Sequence, residues 1–316
     1  QKDFNTHRLL RAIDCNTLLS KLPANQQGQL NHCLMTPKIL RAHFSNTPEL
    51  LYQSNELLGT CQTDFDFSIS TSNNQKTYTK NANLDFRLLK HLTYQGLAYR
   101  YPQPTKNVFE RINKELDTIK SMGFVSYFLI NWRILKYARQ QGYFYVGRGS
   151  GANSIVAYLL QITDVDPIEL DLYFERFINL YRVNPPDFDI DFSWTDRDDM
   201  TRFIFNRFKH VSLIATYNTF RRRAAIRELG KVFGLPKNEI DKLTKGFYNP
   251  KTVDQLTGLV LQYSERLQGM PNYLGIHAGG IIIANQSINC FVATFMPPKG
   301  FSTVQFDMVA AENAGL

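Results

Sequence analysis

Cysteine is scarce and scattered in this 316-residue chain: Cys15, Cys33, Cys61 and Cys290 lie far apart, and no Cys-x-x-Cys pair occurs. That excludes a disulfide framework and argues against a zinc site built on paired cysteines. A reducing, cytoplasmic setting is the simple reading. No apolar run approaches the roughly 20 residues that a helix needs to span a bilayer, so no membrane partner is expected. No signal peptide is visible. Two nucleotide-binding signatures are missing as well. No Gly-Lys-Ser/Thr follows a glycine-rich stretch at the spacing of a Walker loop, and Gly147, Gly149 and Gly151 do not make a dinucleotide fingerprint. Positive charge, by contrast, is in excess: the net charge of +8 suits a polyanionic partner. The hydrophobic share of 43% is ordinary for a globular protein, and the length allows two or three domains.

The most informative stretch is Pro186-Asp187-Phe188-Asp189-Ile190-Asp191-Phe192. In an extended strand, residues at every second position share a face. Asp187, Asp189 and Asp191 then project together, while Phe188, Ile190 and Phe192 turn toward a core. Like charges on one strand face repel, and Asp is a poor strand former. A positive group is expected opposite them. A pair of Mg²⁺ ions is the leading candidate, because Mg²⁺ takes one or two carboxylates together with substrate phosphates. An acid-rich, solvated edge strand is the alternative.

A second stretch, Gly147-Arg148-Gly149-Ser150-Gly151-Ala152-Asn153-Ser154, precedes what reads as the start of a buried helix at Ile155. Glycines let backbone N–H groups approach an anion, and a helix N-terminus favours negative charge. Ser150 and Ser154 add hydroxyls, and Arg148 adds a planar fork suited to phosphate. The stretch is expected to cradle a triphosphate facing the acidic strand. An ordinary Ser-capped turn is the other reading.

Breakers and periodicity organise the rest. Residues 1–60 read as helical, with a helix starting at Pro48, and 62–84 as a polar connecting loop. Amphipathic helices are expected over 107–121 and 126–140, the second ended by Gly142. A short strand over 143–146 leads into the Gly turn. A helix over 196–209 and a strand over 211–216 follow. The most basic patch is Arg221, Arg222, Arg223, Arg227 and Lys231. Arg223, Arg227 and Lys231 are four apart and share a helix face, which suits backbone phosphates; a solvated face partly neutralised by Glu228 is the alternative. His277, before Ala278-Gly279-Gly280 and the apolar run Ile281–Ile283, marks an expected strand start.

Taken together, several segments in order resemble the bacterial DNA polymerase III alpha subunit family. They are Met122-Gly123-Phe124, Tyr127–Ile130, Gly147–Gly151, Ile162-Thr163-Asp164, Phe174-Glu175-Arg176-Phe177 and the acidic strand. Ile226–Pro236, His277-Ala278-Gly279-Gly280 and Gln305-Phe306-Asp307 extend the resemblance. It is dense over about 120–235, patchy over 271–316 and faint before 65. It implies an α+β fold with a nucleotidyltransferase palm of the polymerase-beta kind, a mixed sheet with helices. Residues 1–61 would be the tail of a phosphoesterase-like domain, 62–215 the first part of the palm, 216–270 a small helical thumb, and 271–316 the second part of the palm. The activity implied is template-directed DNA synthesis, with dNTP and primer-template DNA as substrates and a sliding clamp and other replisome subunits as partners of the parent protein. Asp187 and Asp189 would bind the two catalytic Mg²⁺ ions, with Asp191 behind them. Arg148, Gly149 and Ser150, with Ser154, would hold the dNTP phosphates. Arg221, Arg222, Arg223, Arg227 and Lys231 would meet DNA, and His277 would lie near substrate. Asp307 reads as structural. The family's third catalytic aspartate falls beyond the position matching Leu316, so an excised, inactive fragment is expected. Asn153, where relatives carry a small residue, and Pro185 depart from the family pattern. A nucleotidyltransferase with another acceptor and a non-catalytic DNA-binding relative are the competing functions.

Overall fold

The computed structural model describes residues 2–29, 34–61, 73–178, 188–249 and 251–316. Asp187 and Pro185 lie outside the described residues. Helices α1 (Lys2–Asp14), α2 (Pro37–His43) and α3 (Pro48–Thr60) come first. They are followed by α4 (Ala82–Arg100), α5 (Lys106–Ser121) and α6 (Val125–Gln141). Strand β1 (Tyr145–Arg148) leads through a 3₁₀ turn, Gly149–Asn153, into α7 (Ile155–Leu159). Next come β2 (Asp189–Phe192), α8 (Arg197–Arg207) and β3 (Val211–Thr219). Helices α9 (Arg222–Phe233), α10 (Lys237–Lys245) and α11 (Gln255–Leu267) precede the long strand β4 (Pro271–Ile283). The short strands β5 (Thr294–Phe295) and β6 (Thr303–Val304) and helix α12 (Met308–Asn313) close the chain. This is a mixed α+β architecture. No described helix is long and apolar enough to cross a membrane.

The chain divides into two compact units, residues 1–68 with 216–275, and residues 69–215 with 276–316. The division cuts through β3 and β4. In the first unit, α9 turns Ala225, Ile226, Leu229 and Val232 into a core shared with Leu9 and Ala12 of α1 and Val260 and Leu267 of α11. The first helix therefore packs with the segment assigned to the thumb. Helices α2 and α3 contribute no buried residue.

The second unit is built around α5 and α6. On α5 the residues Val108, Ile112, Leu116 and Ile119 fall on one helical face, and all are buried. On α6 Phe128, Leu129, Leu135 and Ala138 are fully buried, and Gly142 ends the helix in the left-handed conformation. Helix α4 was not foreseen: a loop was expected over 62–84 and no element over 85–100. Asn81 caps it by accepting from the amides of Asn83 (2.9 Å) and Leu84 (3.2 Å). Its Asp85 is buried, accepting from the Tyr78 and Thr79 amides at 2.7 Å each.

Two sheets belong to the described residues. β1 and β2 pair antiparallel, with Tyr145 opposite Phe192, Val146 opposite Asp191, Gly147 opposite Ile190 and Arg148 opposite Asp189. The other sheet has the order β4-β3-β6-β5. There β6 runs parallel to β3, with Leu213 opposite Thr303, and antiparallel to β5. The expected strand over 143–146 is displaced by two residues toward the C-terminus. Pairing with β2 sets its limits and carries Arg148 onto the strand itself.

Candidate functional site

The alternation in the acidic segment is realised. Asp189 and Asp191 are exposed, while Phe188, Ile190 and Phe192 pack against the core of α5, α6 and α7. Phe188 is the anchor. Its ring stacks on Tyr127 at 5.3 Å and meets Phe128 edge-on at 5.2 Å, and its amide donates to the Tyr127 hydroxyl at 2.9 Å. The two conspicuous sequence segments then meet. Gly149 has φ +80°, and a Cβ there would lie 2.9 Å from Oδ2 of Asp189. A Cβ on Gly151 would lie 2.4 Å from the Phe188 ring. A side chain at Gly151 would collide with the anchored Phe188 ring, and one at Gly149 would strain a backbone of positive φ.

Arg148 supplies the positive group expected opposite the aspartates. Its Nε donates to Asp191 Oδ2 at 2.5 Å, and its Nη2 reaches Oδ1 of the same carboxylate at 3.4 Å. Its Nη1 donates to Asp189 Oδ2 at 3.3 Å. The hydrogen bond from Arg148 holds the Asp191 carboxyl below its ordinary value, and the same contact raises the Arg148 guanidinium. All three side chains are more than half exposed, so water screens the pairs.

Ser154 departs from its expected role. It is fully buried, caps α7 by accepting from the Ala157 amide at 3.1 Å, and donates to Oε2 of Glu115 at 2.8 Å. A hydroxyl so placed does not face an external phosphate. The start of α7 is also occupied from within, because the Ile155 and Val156 amides both donate to Glu115 at 3.2 Å. What remains for an anion is the turn itself, Arg148 to Ser150, rather than the helix N-terminus. Ser150 is half-buried. Asn153 closes this turn, its Nδ2 donating to the Ser150 carbonyl at 2.8 Å.

Among the described residues, no group of three His, Cys, Asp or Glu side chains gathers to hold a metal. Asp189 and Asp191 nevertheless present oxygen donors on one exposed face, and Gly149 leaves space beside Oδ2 of Asp189. That donor set fits Mg²⁺ bound through one or two carboxylates plus substrate phosphates.

The remaining expected residues fall elsewhere. Arg221, Arg222, Arg223, Arg227 and Lys231 are all exposed on or beside α9 in the first unit. Arg222 donates to the Tyr248 hydroxyl at 2.9 Å, Arg227 lies 4.0 Å from Asp241, and Lys231 pairs with Glu228 at 2.7 Å. Arg221 and Arg223 form no ion pair with the described residues. His277 lies inside β4, which starts six residues earlier than expected. Its Nδ1 accepts from the amides of Gly279 (3.3 Å) and Gly280 (3.0 Å), which leaves the ring proton on Nε2. Asp307 caps α12, accepting from the Ala310 amide at 2.8 Å. Asp164 pairs with Arg100 at 2.5 Å, and Asp166 accepts from the Tyr101 hydroxyl at 2.5 Å.

Comparison with known proteins turns on residues 87–316, which match the model of the bacterial DNA polymerase III alpha NTPase domain. The chain belongs to this family. Relatives similar to the whole chain include an error-prone DNA polymerase of Symbiobacterium thermophilum, 30% identical, of which 31% is covered. The DNA polymerase III subunit alpha of Bacillus subtilis is 32% identical over the whole chain, with 30% of its length covered. That of Borreliella burgdorferi is 34% identical over 72% of the chain and 22% of its own length. The chain thus spans about a third or less of the length of these relatives. The matched span includes β1, the Gly turn, α7 and β2, and also Arg111 and Glu115.

Proposed function

We infer that this chain is part of a DNA-directed DNA polymerase that extends a primer 3′-hydroxyl with dNTP. The observation that carries the reading is the approach of the Gly149 turn to Asp189 across the β1–β2 ladder. It brings the Gly turn, the Arg148 guanidinium and the carboxylates of Asp189 and Asp191 together in one small structure. In this reading the second unit is a nucleotidyltransferase palm of the polymerase-beta kind, and the segment 216–270 is the thumb. Asp187 and Asp189 hold Mg²⁺, with Asp191 oriented beside them by Arg148. A Mg²⁺ ion held there would supply Lewis-acid stabilisation for the attacking hydroxyl and for the leaving pyrophosphate. The amides of Gly149 and Ser150 and the Ser150 hydroxyl take the β- and γ-phosphate oxygens. Arg148 exchanges part of its contact with the aspartates for those oxygens, a trade its exposure permits. On α9, Arg221 and Arg223 offer the charges for DNA backbone phosphates that the described residues leave unpaired.

Primer extension by the full-length parent, beside its Asp189→Asn variant, tests this. Extension that vanishes in the variant while DNA affinity persists supports the reading. A variant that extends at the normal rate removes Asp189 from the chemistry. A folded parent that binds DNA without extending it points to a non-catalytic relative or another acceptor.

A further inference from the structure

The Gly turn has a second face, turned inward to α5. Glu115 is wholly buried there, on a helix face otherwise made of Val108, Ile112, Leu116 and Ile119. Four donors converge on its carboxyl group. They are Arg111 Nε at 2.7 Å, the Ser154 hydroxyl at 2.8 Å, and the amides of Ile155 and Val156 at 3.2 Å each. Burial pushes the Glu115 carboxyl up from its ordinary value, and the hydrogen bond from Arg111 pulls it back. All four partners can donate, so an ionised carboxylate satisfies every one of them. Arg111 continues the network: its Nη2 donates to the carbonyls of Asn153 (3.1 Å) and Leu172 (2.8 Å).

A buried ion pair is a costly way to fill a core. A well-packed apolar pair of similar volume is often as stable or more so. What the charged pair adds is direction. It binds the residue that closes the turn (Asn153), the residue that leaves it (Ser154) and the first amides of α7 to one rigid helix. We propose that Glu115 and Arg111 are positioning residues for nucleotide binding. From behind, they fix the height and orientation of the Gly149–Ser150 turn over Asp189, without touching substrate. The proposal rests on the turn being the dNTP contact.

The test uses the full-length parent and its Glu115→Gln and Ser154→Ala variants. Single-nucleotide incorporation is measured against dNTP concentration, together with primer-template affinity, thermal midpoint and amide hydrogen exchange of residues 147–157. For Glu115→Gln the expected result is a KM for dNTP raised on the order of tenfold, with kcat changed far less and DNA affinity unchanged. Exchange in 147–157 should quicken in the same variant. Ser154→Ala keeps the ion pair and should shift KM in the same direction by a few-fold. A lowered thermal midpoint with unchanged KM and unchanged exchange in the turn would overturn the proposal, leaving Glu115 a stability residue. Should Glu115→Gln fail to fold, Ser154→Ala decides by the same criteria. If the wild-type parent extends no primer, the polymerase reading fails on its own. Exchange in the turn still decides whether Glu115 anchors it.

Discussion

The same pairing of arginine with carboxylate occurs on both sides of the Gly turn, and burial gives the two sides opposite characters. Behind the turn, Arg111 and Glu115 have side chains 17% and 0% exposed. In front, Arg148 faces Asp189 and Asp191 with all three more than half exposed. The rear pair is largely shielded from solvent, and its remaining hydrogen-bonding capacity goes to backbone carbonyls, amides and Ser154. It acts as scaffold. The front pair is screened, and its partners are replaceable by water, metal or phosphate. A turn that must hold a fixed shape while exchanging ligands needs both.

Breaking the comparison at its functional end gives the largest effect. Asp189→Asn in the full-length parent should reduce primer extension by several orders of magnitude, read by single-turnover incorporation, with the thermal midpoint almost unchanged. At the scaffold end, Arg111→Ala leaves a buried carboxylate without its cation. It should cost about 3–5 kcal/mol in denaturant unfolding, whereas Arg148→Ala should barely move the midpoint.

Arg148→Ala sharpens the contrast in another way. It should raise the dNTP concentration needed for half-maximal extension. Without nucleotide, it should tighten Mn²⁺ binding measured by electron paramagnetic resonance, because the aspartates lose a competing cation. Weaker metal binding would show that Arg148 supports the metal site instead.

Asp307→Ala probes a carboxylate with a purely local duty. Loss of the α12 cap should cost about 1 kcal/mol and leave metal affinity intact.

The smallest effect is acid titration of the front pair. The Asp191 carboxyl lies below its ordinary value, so its contribution is present above the unfolded pKa of about 3.9 and lost as pH falls through the lowered folded value. The small stability difference between wild type and Asp191→Asn should therefore fade only in acid.

Much of this arrangement was legible from local pattern. Alternation in the acidic strand named the exposed pair Asp189 and Asp191 and the inward side chains Ile190 and Phe192. Helical spacing gave α5 and α6 to within a residue or so. The Gly turn and strand were expected to face each other, but their mode of contact was not readable. Arg148 and Asp189 are 41 residues apart, and only strand register makes them partners. Ser154 looked like a phosphate donor because its true partner, Glu115, lies 39 residues away. A signal for Glu115 was present all the same: an acidic residue on an apolar stripe, between Ile112 and Ile119, is costly unless paired. Asn153, singled out in the sequence only through the resemblance, closes the turn by its hydrogen bond to the Ser150 carbonyl. The basic segment was correctly placed on a helix. Its partial neutralisation by Asp241 depends on how α10 packs on α9, which local pattern does not give.

The most direct measurement of the central claim is a crystal structure of the full-length parent with primer-template, a non-hydrolysable dNTP and Mg²⁺. The account predicts triphosphate oxygens on the Gly149 and Ser150 amides, a metal ion on Asp189, and Arg148 turned at least partly from Asp189 toward phosphate. Glu115 and Ser154 should still hold the turn from behind. A triphosphate bound away from the turn, or a metal site that leaves Asp189 uncoordinated, would contradict it.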